Sequence, residues 1–304
     1  MKYNFAVIDL GSNSVRMTIN SADENGEWEV LEKIRDTVRL SENMGSDMIL
    51  KKASIDRVID ALKRFYTIAE KYNCTKIKAV ATAAVRYARN KEEFLSRAKN
   101  EANIEFQVIS GEDEAYYSYL AIKSTVGIDD GVLMDTGGGS TEITLVKNGA
   151  LVNSISLPLG AVVMTENVEE ENLKEYVKEK LSEIPWLSEC ENLPLYAIGG
   201  SARTAGMLAM KRHLSSAEIE GLRIKNSAFE EMYENVYLTP KDKRKDIAGM
   251  DVSRADIILA GITPAKIFMG LNNTPEIIIC LSGVKEGVFF EIKDEITKSR
   301  RNIK

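Results

Sequence analysis

Apolar residues come first in short runs set off by turn formers, and only later at helical spacing. Phe5 to Leu10 is nearly continuous in apolar side chains, and Val15 to Ile19 alternates, so each reads as a strand. Trp28 to Leu31 and Ile34 to Leu40 extend this into a meander. From Ser54, Ile55, Val58, Ile59, Leu62, Phe65, Ile68 and Ala69 follow the 3.6-residue period to about Tyr72, which predicts an amphipathic helix. Ile77 to Ala81 is a short strand, Lys91 to Ala102 a helix, Ile104 to Ile109 a strand, and Glu112 to Lys123 a helix. Strands interleaved with helices in this way predict an α/β unit with helices packed on a mixed sheet.

The second half repeats the theme. Segments 131–135, 142–146 and 150–157 read as another meander, followed by an acidic helix from Glu169 to Ile184 that Pro185 closes. Leu195 to Ile198 is a strand that runs into Gly199-Gly200-Ser201 and a helix through Met210. Ser215 with Glu218 three residues on is a capping box. Ser253 to about Met269 is helical with a break or kink expected at Thr263-Pro264, Glu276 to Leu281 is a strand, and Val284 to Ile296 a final helix. The pattern predicts two domains, 1–124 and 125–304, with the last helix packing back on the first.

Aligning the halves turns similarity into a repeat. Phe5 to Ile19 lies over Gly131 to Leu145 without a gap, at an offset of 126, which places Asp9 on Asp135, Gly11 on Gly137, Ser14 on Ser140 and Thr18 on Thr144. Each copy is strand, tight loop, strand. In the second loop, Gly137, Gly138 and Gly139 carry no Cβ, so backbone N–H groups can converge on an anion. Asp135 and Glu142 flank that loop, as a magnesium-bound phosphate requires. Two such devices suggest two similar domains facing one anion.

Composition removes several function classes. The net charge of −6 and pI near 5.2 argue against a general nucleic-acid binder. No run approaches the about 18 apolar residues of a membrane span, and the chain enters a strand without a signal peptide, so a cytoplasmic location is expected. Cys74, Cys190 and Cys280 form no CxxC and fit reduced, buried residues. His213 is the one histidine, which excludes Ser-His-Asp, Cys-His and HExxH chemistry and leaves acid–base work to carboxylates.

Glu112, Asp113 and Glu114 cluster at a strand-to-helix junction, and like charges raise the pKa of at least one member, which suits Glu114 to act as general base. Acids also favour the first turn of any helix through its dipole, so this pattern alone leaves both readings open. Arg86, at a strand end, suits a bidentate clamp on a phosphoryl group or an ion pair with Glu92 or Glu93. Asp135 and Glu142 are the candidate magnesium ligands, and Asp9 is either their counterpart or a cap of its loop. Lys241 to Lys245, with four cations in five positions, is a solvated face or an attractor of polyanions.

Five stretches together resemble the exopolyphosphatase/guanosine pentaphosphate phosphohydrolase family of the actin-like ATPase superfamily: Ile8 to Arg16, Ala81 to Arg86, Ile109 to Ala115, Met134 to Glu142 and Ala197 to Ser201. Arg254-Ala-Asp256 and Gly283 to Gly287 extend the resemblance over essentially the whole chain. One departure is Val284-Lys285, where the family more often has Leu-Arg. The resemblance is to the short form of the family, and the extra C-terminal helical domain of longer members is not expected. The resemblance implies two actin-like, ribonuclease H-like domains with the active site in the interdomain cleft. It implies phosphate binding by Gly11, Ser12, Asn13 and Ser14 and by Gly137, Gly138, Gly139, Ser140 and Thr141. It makes Glu114 the base and Gly199, Gly200 and Ser201 a nucleoside-side loop.

The expected activity is Mg²⁺-dependent release of terminal orthophosphate from inorganic polyphosphate, of short chains by preference, or conversion of guanosine pentaphosphate to tetraphosphate. A small-molecule kinase of the same superfamily and a non-catalytic sensor of guanosine tetra- or pentaphosphate are the alternatives. Homodimerisation is left open, since no readable patch marks an interface.

Overall fold

A computed structural model describes residues 2–45 and 47–301. The chain begins with β1 (Lys2–Leu10), β2 (Ser14–Asp23) and β3 (Trp28–Thr37), then α1 (Lys52–Lys71), β4 (Lys76–Ala81), α2 (Ala83–Tyr87), α3 (Lys91–Ala102), β5 (Phe106–Val108) and α4 (Gly111–Thr125). It continues with β6 (Gly131–Thr136), β7 (Thr141–Lys147), β8 (Ala150–Leu157), α5 (Ala161–Asn167), α6 (Leu173–Ser182), β9 (Leu195–Ile198) and α7 (Gly199–Ala209). It ends with α8 (Ser216–Ile219), β10 (Leu222–Lys225), α9 (Asn226–Leu238), α10 (Ile258–Leu271), β11 (Glu276–Cys280) and α11 (Val284–Arg301).

Two compact units result, Met1–Tyr117 with Val284–Lys304, and Ser118–Gly283. The chain crosses from one to the other inside α4, between Tyr117 and Ser118, whereas the expected boundary, 124/125, falls at the end of the same helix. Each unit holds one mixed sheet, ordered β3-β2-β1-β4-β5 in the first and β10-β11-β9-β6-β7-β8 in the second. The core strands β1, β4 and β5 run parallel, as do β6, β9 and β11. Their near-continuous apolar runs follow from burial on both faces of a parallel sheet.

The first core joins Ile8, Leu10 and Met17 of the sheet to Ile55, Val58, Leu62 and Phe65 of α1, the stripe that the helical spacing predicts. The second joins Val132, Ile143 and Ile279 to α10, which is apolar on all sides because it is buried on all sides. Pro264, where a break or kink was expected, lies inside α10 without ending it. The expected strands Trp28 to Leu31 and Ile34 to Leu40 are one strand, β3, followed by a loop. The helix expected over Glu169–Ile184 is a short 3-10 turn plus α6. The α5, β10 and α9 elements had no sequence signal assigned to them.

The 126-residue repeat is structural. The β1–β2 hairpin pairs Asp9 with Arg16, and the β6–β7 hairpin pairs Asp135 with Glu142, in the same register.

Candidate active site

In the first unit the site is built at the carboxyl ends of β1, β4 and β5, where α/β sheets place their ligands. The β1–β2 loop closes with the Gly11 amide donating to the Ser14 carbonyl at 3.0 Å. Its carbonyls are held from behind: Asn13 accepts from the amides of Val38 and Arg39, and Ser12 from that of Ser41. In a trans peptide the next residue's N–H opposes each carbonyl, so carbonyls tied back at Ser12 and Asn13 turn the amides of Asn13 and Ser14 the other way, the geometry of an anion nest. The Asn13 side chain is 7% exposed, and its Nδ2 has no acceptor among the described residues. A buried donor in that condition marks a place for a ligand acceptor.

Arg86 and Glu114 meet in the same unit. The Arg86 Nη1 donates to Glu114 Oε2 at 3.0 Å and to the Ile109 carbonyl at 2.9 Å, and the side chains are only 14% and 10% exposed. The three acids that sequence grouped together are separated by role. Asp113 accepts from the Ser110 hydroxyl and amide and caps α4, whereas Glu112 is exposed. Glu114 alone turns inward. Lys285, the departure from the family pattern, is buried and bonds to Glu286. Burial pushes the Asp9 carboxyl above its ordinary range; Arg16 and Lys285 oppose that push, and Glu286 adds to it.

The second unit repeats the loop with different lining. The Gly137 amide donates to the Ser140 carbonyl at 2.9 Å, and the carbonyls of Gly137 and Gly138 accept from the first amides of α5, at Ala161, Val162 and Val163. That contact requires Gly160, where a Cβ would lie 2.3 Å from the Gly138 oxygen. The hydroxyls of this loop are committed: Thr141 Oγ1 donates to the Leu159 carbonyl and Ser140 Oγ to Glu142 Oε1, both at 2.7 Å. An anion at this loop would therefore be met by backbone amides.

Asp135, Glu142 and Ser156 stand side by side on one rung of the sheet. Glu142 Oε1 accepts from both Ser140 and Ser156 at 2.7 Å, and Asp135 Oδ2 accepts from Ser118 at 3.1 Å. Among the described residues no three His, Cys, Asp or Glu side chains form a group able to enclose an ion. A neighbouring pair of carboxylates still suits Mg²⁺, which takes one or two carboxylates and keeps waters and substrate phosphates for the rest.

Gly199 adopts φ +98° beneath Asp135, and a Cβ there would lie 3.1 Å from Asp135 Oδ1. Gly200 packs on Arg254, whose guanidinium would meet a Cβ at 2.0 Å. Ser201 is buried, with its hydroxyl unpartnered among the described residues. The basic run divides: Arg244 is 1% exposed and grips Glu170 through two bonds of 2.6 and 2.7 Å, whereas Lys241, Lys243 and Lys245 are exposed. His213 is exposed.

Residues 18–295 match the Ppx/GppA phosphatase family. The chain belongs to this family. It is 31% identical over 284 residues to the bifunctional 3-dehydroquinate synthase/phosphatase of Fusobacterium nucleatum, covering 86% of this chain and 42% of that longer protein. It is 27% identical over 304 residues to exopolyphosphatase 1 of Mycobacterium tuberculosis, covering 95% and 88% of the two chains. The crystal structure of the Aquifex aeolicus member of the Ppx/GppA family matches with a TM-score of 0.80 at 27% identity, over 98% of this chain and 99% of that one. The two mixed sheets are thus the two actin-like domains of a phosphatase family, as the motifs implied. No helix among the described residues is long and apolar enough to cross a membrane.

Sequence reasoning missed Ser118, Ser156, Gly160 and the gripping carbonyl of Ile109. Ser156 was within reach, because the expected meander already aligned β8 with β7. Ser118 and Gly160 act through contacts that only folding creates.

Proposed function

We propose that this protein hydrolyses terminal phosphoanhydride bonds of inorganic polyphosphate, short chains by preference, with guanosine pentaphosphate as a substrate of the same bond type. The observation that carries this reading is the Arg86–Glu114 pair, nearly buried and held at 3.0 Å in the same unit as the first phosphate-type loop.

In this reading Glu114 takes the proton of the attacking water, and the bond from Arg86 fixes which carboxylate oxygen faces it. The Asn13 and Ser14 amides and Asn13 Nδ2 bind phosphoryl oxygens in the first unit, and the Gly138 and Gly139 amides do so in the second. Phosphoryl transfer needs little covalent help, so positioning and charge neutralisation supply most of the catalysis. Asp135 would hold Mg²⁺ beside Glu142; when bound, the ion neutralises charge on the phosphate chain. Gly199, Gly200 and Ser201 would border the nucleoside of guanosine pentaphosphate.

The test is orthophosphate release from polyphosphate of defined lengths and from guanosine pentaphosphate side by side, with and without Mg²⁺. Glu114→Ala is expected to lower release by about a hundredfold or more, the scale of a lost general base. Wild-type turnover in that variant removes Glu114 from the role. ATP-dependent phosphorylation of sugars, or binding without turnover, would move the reading to a kinase or a sensor.

A further inference from the structure

Glu142 is 2% exposed, and a single oxygen of its carboxylate receives two hydroxyl protons, from Ser140 of the loop and Ser156 of β8, each at 2.7 Å. A hydroxyl owns one proton and two lone pairs. Once the proton is committed to Glu142, the Ser140 oxygen has only lone pairs to offer. It cannot donate to a phosphate, but it can accept from a water of a hydrated cation or face the cation itself. Hydrogen bonds to a charged acceptor are the strong kind, and two of them on one oxygen fix both hydroxyl rotors. The rung supplies the alignment, because Asp135, Glu142 and Ser156 are direct cross-strand partners and share a face.

We propose that Glu142 and Ser156 are positioning residues for a divalent cation held at Asp135: Glu142 acts as the proton acceptor that orients Ser140, and Ser156 completes that lock from the neighbouring strand. On this assignment Glu142 is not itself a ligand. The first unit offers a natural contrast, since the position matching Glu142 there is Arg16, which needs no hydroxyl partners to sit beside Asp9. This inference rests on the Mg²⁺-dependent reading above.

Calorimetric titration of Mg²⁺ into the metal-free enzyme tests it, with circular dichroism to confirm folding. Glu142→Ala is expected to weaken Mg²⁺ binding about 10- to 100-fold, the range for lost outer partners of a metal site. Glu142→Gln is expected to stay within about threefold of wild type, because an amide oxygen also has two lone pairs for the two hydroxyls. Ser156→Ala should weaken binding about tenfold and Ser156→Thr, which keeps the hydroxyl, should restore it. Should Glu142→Ala fail to fold, the Gln, Ser156→Ala and Ser156→Thr variants decide alone. Loss in Glu142→Gln as large as in Glu142→Ala overturns the inference, because it makes the charge a direct ligand. Wild-type affinity in Ser156→Ala overturns it too, as does a wild-type enzyme that takes up no Mg²⁺. Phosphate release by the wild-type enzyme is a separate readout: its absence with normal Mg²⁺ titrations sinks the proposed activity and leaves the lock standing.

Discussion

The two hairpins share a register and a turn, yet their charge logic is opposite. In the first, Asp9 faces Arg16 across the rung; in the second, Asp135 faces Glu142. The first rung is an acid beside a base and balances itself. The second sets two acids side by side, an arrangement that costs energy unless something positive arrives. Donors divide the same way. Asn13 Nδ2 of the first loop is unpartnered among the described residues, whereas the Ser140 and Thr141 hydroxyls of the second already donate elsewhere. One backbone device, duplicated, thus carries opposite charges across its rung in one unit and two acids across it in the other. The fold supplies the loop, and two residues per copy set the charge beside it.

Exchanging those residues should break the contrast. Glu142→Arg gives the second rung the charges of the first, and Mg²⁺ binding is expected to fall beyond the about 100-fold ceiling for outer-partner losses. Magnesium titration reads it directly, and retained binding would show that the rung does not set cation preference. In the reverse swap, Arg16→Glu, two acids meet where no serine pair waits. A destabilisation of about 2 kcal/mol is expected, as an attractive cross-strand neighbour is lost and a like-charge one gained, each about 1 kcal/mol. Urea unfolding measures it.

The loops also differ in what backs them. At Gly160 a Cβ would collide with the backbone of Gly138 and Gly139, so Gly160→Ala must displace α5 or the loop. A loss of about 1–3 kcal/mol in unfolding free energy is expected, together with a raised KM for polyphosphate. At Gly11 a Cβ would find its nearest neighbour, the Ser14 carbonyl, at 3.6 Å, which is ordinary contact. Gly11→Ala should therefore cost under about 1 kcal/mol. Equal effects at the two positions would show that the loops are backed alike after all.

These contrasts mark how far the sequence could be read. The repeat, both hairpins and the acid pair were legible because a cross-strand register follows from a gapless alignment of alternating residues. Glu114 was legible only as one of three acids. What singles it out is that Asp113 is spent on capping α4, a choice made by side-chain direction and not by spacing. The committed protons of Ser140 and Thr141 were hidden for the same reason. A hydroxyl in a glycine loop looks like a phosphate donor until its acceptor, the Glu142 carboxylate on β7 or the Leu159 carbonyl, is known. The α5 element carried too short an apolar pattern to register, although its first turn holds the loop in place.

The smallest expected effect probes the first rung without altering the second. Burial raises the Asp9 carboxyl above its ordinary value of 3.8, and Arg16 and Lys285 only partly offset that. A group whose folded pKa is raised binds its proton more tightly in the native state than in the unfolded chain. Stability therefore declines as pH rises from the ordinary value through the folded one, and levels off above it. Asp9→Asn cannot titrate, so the difference in unfolding free energy between wild type and variant should change across that window and stay flat beyond it. Urea titrations from pH 3.5 to 7 check the slope. A difference that grows in the wild type's favour as pH rises would mean that Arg16 and Lys285 outweigh burial. The Asp9 rung would then be a net stabilising ion pair, and the self-balancing half of the comparison would rest on attraction strong enough to lower the carboxyl.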